Sequence, residues 1–232
     1  MLGRWPVAVL IAALFGAGPS HAQLGPVDLA VVLAMDVSGS IDRERWELQR
    51  RATAEIISSK EFADAARRGV HGRIAVAVVQ WSTRPKTMIG WTVLATEAEF
   101  AALALRIQGM QRASSGATCL ADVLNHAGSL LASWSGNAVR RVIDVSGDGQ
   151  ENCQTEALQN DSYTKTARDR AIAAGITING LPITTAFEPA VAGWYANNVI
   201  GGPRSFLIEA KGLDDFARAM RAKLIVEVAA TD

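Results

Sequence analysis

The chain has 232 residues, 49% of them hydrophobic, with 23 basic and 23 acidic side chains. That length suits one domain with a sizeable core rather than two. The even balance gives no electrostatic reason to expect nucleic acid or an anionic membrane as a partner.

The first 22 residues read MLGRWPVAVLIAALFGAGPSHA. Arg4 supplies a short basic region, Val7 to Ala17 an apolar one, and Ser20 and Ala22 the small residues that precede cleavage before Gln23. This is the layout of a secretory signal peptide. The apolar run is shorter than the roughly 20 residues a membrane-spanning helix needs, and no later stretch qualifies. The expectation is a signal peptide at 1–22 and a single exported domain at 23–232, periplasmic or secreted.

LAVVLAM at 29–35 is a continuous apolar run that breaks into Asp-Val-Ser-Gly-Ser, as a strand buried on both faces would. DRERWELQRRATAEIISS then reads as a helix, with Asp42 its N-cap and Trp46, Ala52, Thr53, Ile56 and Ile57 on one face. Strands follow at 73–81 and, after a turn near Pro85, at 87–91. Thr96 and Glu99 form the capping box of a helix at 96–108. MQRASSGATC is a polar loop. The segment from Cys119 to Trp134 has Leu120, Val123, Leu124, Ala127, Leu130 and Leu131 at helical spacing. RRVIDVS at 140–146 is a strand, and YTKTARDRAIAAG a helix closed by Gly175. ITINGLPI is another strand, residues 189–199 hold a short helix, a last strand lies near 205–209, and an amphipathic helix ends the chain.

Strands alternating with helices predict an α/β fold: a doubly wound, mostly parallel central sheet of about six strands with helices on both faces. In such sheets ligands gather outside the carboxyl ends of the strands, where the strand order reverses. The chain places its Asp/Ser turns at those ends.

The spacing of two puts Asp36, Ser38 and Ser40 on one side of an extended turn. Asp148, in the turn after the 140–146 strand, can add a second carboxylate, and Thr118 a further hydroxyl. Every donor in this set is a hard oxygen. Such a set suits Mg²⁺ first, with Mn²⁺ or Ca²⁺ also accommodated, and argues against a dedicated zinc site. Either turn alone is also what a helix cap looks like; the conjunction with SGAT is what favours a metal.

DVSGS resembles the Asp-x-Ser-x-Ser signature of von Willebrand factor A domains. Their metal-ion-dependent adhesion site adds a Thr from a later loop and an Asp after the fourth strand, positions matched by Thr118 and Asp148. The resemblance covers residues 27–228, and RRVIDVSGDG, ITINGLPI and NNVIGGPRSF look like a bacterial family of exported von Willebrand A-like proteins of unassigned function. One departure is Gly147-Asp148-Gly149 where many members carry Thr-Asp-Gly. A further acid, Asp144, lies inside the strand and reads as structural, needing buried partners from Arg or backbone groups. If the two loops converge on one ion, Cys119 and Cys153 are neighbours and form a disulfide, which an exported compartment permits.

The resemblance implies a metal-dependent binding module: Asp36, Ser38, Ser40, Thr118 and Asp148 hold the cation, and an acidic side chain of a partner protein completes it. The alternatives are a metal-independent structural subunit of an envelope complex and, less favoured, a Mg²⁺- or Mn²⁺-dependent phosphoesterase, for which no general base stands out. Three scattered histidines and the absence of a phosphate-loop motif add nothing catalytic. Arg43 and Arg45 read as solvated helix charges, and Trp194 and Tyr195 as core.

Overall fold

In the computed structural model the described residues are 25–153 and 162–229; the expected signal peptide lies outside them. The sheet strands are β1 (Val27–Asp36), β2 (Ile74–Trp81), β3 (Lys86–Leu94), β4 (Ala138–Gly147), β5 (Thr177–Thr184) and β6 (Ala210–Lys211). The helices are α1 (Arg43–Ile57), α2 (Lys60–Ala66), α3 (Glu97–Gln108), α4 (Leu120–Ala132), α5 (Ser162–Ala173), α6 (Val191–Asn198) and α7 (Phe216–Ala229). The strand order is β3-β2-β1-β4-β5-β6. All neighbours are parallel except β2 and β3.

The apolar run of β1 has no polar face because both faces are covered. Leu29, Val31, Leu33 and Met35 enter one core, with Trp46 of α1, Phe62 of α2, Phe100 of α3 and Phe216 of α7. Ala30, Val32 and Ala34 enter the other, with Leu124 of α4, Ala167 of α5 and Tyr195 of α6. Small residues on the second side let α4 approach the sheet closely, and alternation of large and small keeps both layers filled.

The helix starts follow their caps. The Asp42 carboxylate accepts from Arg45 N at 2.9 Å, and Thr96 and Glu99 form the reciprocal capping box. Gly175 leaves α5 with φ +72°, where a side chain would be strained. Two elements differ from the sequence reading. The segment after Ile57 restarts as α2, capped by Ser59 accepting from Phe62 N. The last strand is shifted, with only Ala210 and Lys211 pairing in β6; residues 205–209 contribute one bridge, Leu207 to Gly180.

Asp144 is structural, with Lys223 as its cation where an Arg or the backbone was expected. The two form an ion pair in which Lys223 is fully buried. Glu227 lies in the same network, paired with Arg140 at 2.9 Å and accepting from Asn179 at 2.5 Å. Burial, then the nearby Asp144 charge, raises the Glu227 carboxyl above its usual range. Two acids and two bases thus anchor α7 under β4 and β5.

Candidate functional site

Strand order turns outward in both directions from the β1–β4 pair, so the crevice between the loops after these strands is the topological switch point. Asp36 is the last residue of β1 and is fully buried. Its Oδ1 accepts from Ser38 N at 2.7 Å, and its Oδ2 from Asp148 N at 3.4 Å. Ser38 Oγ lies 3.1 Å from Ser40 Oγ, and Ser40 Oγ donates to Asp148 Oδ1 at 2.5 Å. Four of the five expected oxygen donors therefore form one connected chain across two loops.

Thr118 is held beside it by a different set of contacts. Gly39 N donates to Gly116 O at 2.7 Å, fastening the loop after β1 to the loop before α4. Thr118 N donates to Asn152 Oδ1 at 2.7 Å, and Asn152 N returns a bond to Thr118 O at 3.0 Å. A Cβ built on Gly149 would stand 3.2 Å from Thr118 Oγ1, so that hydroxyl faces the turn after Asp148. Glu151 accepts from Ala121 N and Cys153 N, and a Cys119–Cys153 disulfide closes the same junction. Both sulfurs of the Cys119, Asp122 and Cys153 grouping are thereby consumed.

The electrostatics of the crevice are unfavourable as they stand. Burial, then the neighbouring Asp148 charge, pushes the Asp36 carboxyl up to about 7. Burial also raises Asp148, opposed by its bonds to Ser40 and the charge of Arg45. Beneath the pair, Gly147 has no room for a side chain. A Cβ there would lie 2.6 Å from Tyr195 Oη and 2.9 Å from Asp36 Oδ2. Tyr195 Oη and Trp81 Nε1 are buried without a hydrogen-bond partner among the described residues. Two sheltered carboxylates and three hydroxyls form a donor set that suits a hard divalent cation, since every one of these donors is a hard oxygen.

Several residues at the site escaped the sequence reading. Arg45 is not a free helix charge: Nη1 lies 3.2 Å from Asp148 Oδ2 and donates to Ser40 O at 2.8 Å. Its place in the first turn of α1 aims it back at the loop that α1 follows, a signal visible only once the helix start is fixed. Arg112 donates to Val37 O and Ser38 O, and Gln49 Nε2 to Asp36 O. Tyr195 is core, as read, but its hydroxyl ends under the site. Arg43 remains exposed and pairs with Glu47. His126 is half-buried against Thr87, with Nε2 2.8 Å from Thr87 Oγ1 and burial lowering its basicity.

Residues 26–232 match the family described as "Protein of unknown function (DUF1194)". The chain belongs to this family. No curated protein matches it. Among solved structures, similar folds include proximal thread matrix protein 1 of the mussel byssus with a zinc-occupied MIDAS motif. That match has 15% identity and a TM-score of 0.61, covering 87% of this chain and 46% of that one. The von Willebrand factor domain of the type V pili tip protein Mfa5 from Porphyromonas gingivalis has 11% identity and a TM-score of 0.60, covering 86% and 95%. The pilus adhesin SpaC from Lactobacillus rhamnosus GG has 14% identity and a TM-score of 0.62, covering 90% and 31%. This DUF1194 chain therefore spans under half the length of the mussel protein and has the von Willebrand A fold.

Proposed function

We propose that this DUF1194 protein is an exported, metal-dependent protein-binding module. Asp36, Ser38, Ser40, Thr118 and Asp148 hold one divalent cation, Mg²⁺ in the first instance, at the β1–β4 crevice. The bound cation would supply an electrophilic open position for an acidic side chain of a partner protein. The observation that carries the reading is the sheltered pair Asp36 and Asp148: two buried carboxylates at the ends of neighbouring strands, linked by Asp148 N to Asp36 Oδ2, and each raised by burial. Two buried carboxylates this close stay ionised together only beside positive charge, and Arg45 reaches Asp148 but makes no contact with Asp36.

The protein's own residues fix the arrangement. Ser38 N holds Asp36 in one rotamer, Arg112 holds the loop carbonyls of Val37 and Ser38, and Asn152 with the disulfide seats Thr118. Export is supported by the signal-peptide pattern of residues 1–22 and by a disulfide, which oxidising compartments preserve. Relatives in fold named as an adhesin and as a pilus tip protein support a binding role over a chemical one.

The test is capture from an envelope extract by immobilised protein in Mg²⁺ or in chelator. A partner retained in Mg²⁺, released by chelator and lost with Asp36→Ala supports the reading. A partner indifferent to both treatments contradicts it and points to a metal-independent structural subunit.

A further inference from the structure

The geometry points to Arg45 as the residue that makes the site require a carboxylate ligand, so that the cation is held firmly only when a partner's acid arrives. This rests on the metal-site reading above.

Arg45 lies on one of the acids the site would use. Nη1 is 3.2 Å from Asp148 Oδ2, with side-chain exposures of 23% and 2%. Nη1 also donates to Ser40 O at 2.8 Å, which fixes the guanidinium over both donors. The pair is sheltered, so salt screens it less than an ordinary surface pair. A guanidinium in contact with Asp148 neutralises that carboxylate while no cation is held. It also repels a cation that approaches the same carboxylate.

The other edge of the guanidinium is only loosely engaged. Arg45 Nε has no hydrogen-bond partner among the described residues and makes only a long ion pair with Asp42 Oδ2. The nearest acid on its own turn, Asp42, stands 3.8 Å from it and is committed to capping α1 through Oδ1. The side chain also walls an open groove of about 470 Å³, together with Glu44, Arg51, Leu213 and Asp214, and is 23% exposed. A guanidinium whose edge holds only a long pair with an exposed acid is suited to exchange it for a carboxylate bound on two N–H groups at once.

The charges close on this arrangement. Asp36 and Asp148 balance a divalent cation by themselves. Arg45 adds one positive charge, offset only in part by the exposed Asp42, and an incoming carboxylate cancels the rest. A neutral ligand oxygen leaves the excess in place, so the site discriminates for a monoanionic acid. Lysine would retain the charge but lose the two-pronged contact.

Calorimetric titration with Mn²⁺ tests this, with and without saturating acetate as the carboxylate probe. The proteins are the oxidised wild type, Arg45→Gln, Arg45→Lys and Asp36→Ala, each checked for folding by circular dichroism. Arg45→Gln is expected to bind Mn²⁺ alone about tenfold more tightly than the wild type. Acetate is expected to tighten Mn²⁺ in the wild type and to do so less in Arg45→Gln. Arg45→Lys should keep the weak affinity for Mn²⁺ alone and lose part of the acetate effect. If Arg45→Gln binds Mn²⁺ no more tightly while Asp36→Ala abolishes binding, the metal site stands and this role for Arg45 is overturned. If binding survives Asp36→Ala, or no variant binds, the metal-site reading fails and takes the inference with it.

Discussion

Asp148 N donates to Asp36 Oδ2 at 3.4 Å, so two acids 112 residues apart in sequence, one ending β1 and one just after β4, share one sheltered crevice. The cost falls on Asp36, whose carboxyl is raised from 3.8 to about 7 by burial and then by Asp148. Between those values the folded protein keeps a proton that the unfolded chain has lost. The metal-free protein should therefore lose stability as pH rises from about 4 to about 7, with the full penalty present above 7. Asp148, raised in the same direction, adds to the slope. Urea denaturation in chelator at pH 5 and pH 8 measures it, and Asp36→Asn should remove most of the difference. A cation needs the ionised carboxylate, so Mn²⁺ affinity should rise over the same interval.

Beneath the sheet, Lys223 is the buried counter-charge of Asp144. Lys223→Met removes that charge and leaves Asp144 beside Glu227 with Arg140 alone to balance them. Breaking such a buried pair should cost about 3–5 kcal/mol. Asp144→Leu combined with Lys223→Met removes both charges and should recover a large part of the loss. Equilibrium urea unfolding of the two variants at pH 7 decides it; equal losses in the single and double variants would argue against the pairing.

The disulfide joins residues 34 apart and lies between the loop carrying Thr118 and the loop carrying Asp148. Cys119→Ser with Cys153→Ser should lower stability by about 3–4 kcal/mol from chain entropy alone. It should also weaken Mn²⁺ binding, because Asn152 and Glu151 are then left to hold Thr118 in place. A double variant with unchanged Mn²⁺ affinity would mean that the hydrogen bonds suffice.

The alternation of strand and helix was legible because each strand of the central pair is bounded by an abrupt change from apolar to Asp, Ser and Gly. The convergence of Asp36, Ser38, Ser40 and Asp148 followed from their place at strand ends, which any doubly wound sheet brings to one edge. What escaped depended on contacts between distant elements. Lys223 reads as a polar residue on an amphipathic helix, and nothing local says that it faces Asp144 on β4. Arg45 reads as one of many charges on α1, and only the direction of the first turn brings it to Asp148. The helix α2 is short and alanine-rich, with Phe62 its one large buried side chain, so its apolar pattern is too brief to see.

A divalent cation in the Asp36–Asp148 crevice would bind in solution with a defined stoichiometry. Calorimetric titration of the oxidised protein with Mg²⁺ and Mn²⁺ at pH 8, in the presence of acetate, tests it most directly. The wild type should bind one cation per chain and a folded Asp36→Ala variant none. Folded wild-type protein that takes up neither cation, or an Asp36→Ala variant that binds as well as the wild type, would contradict it.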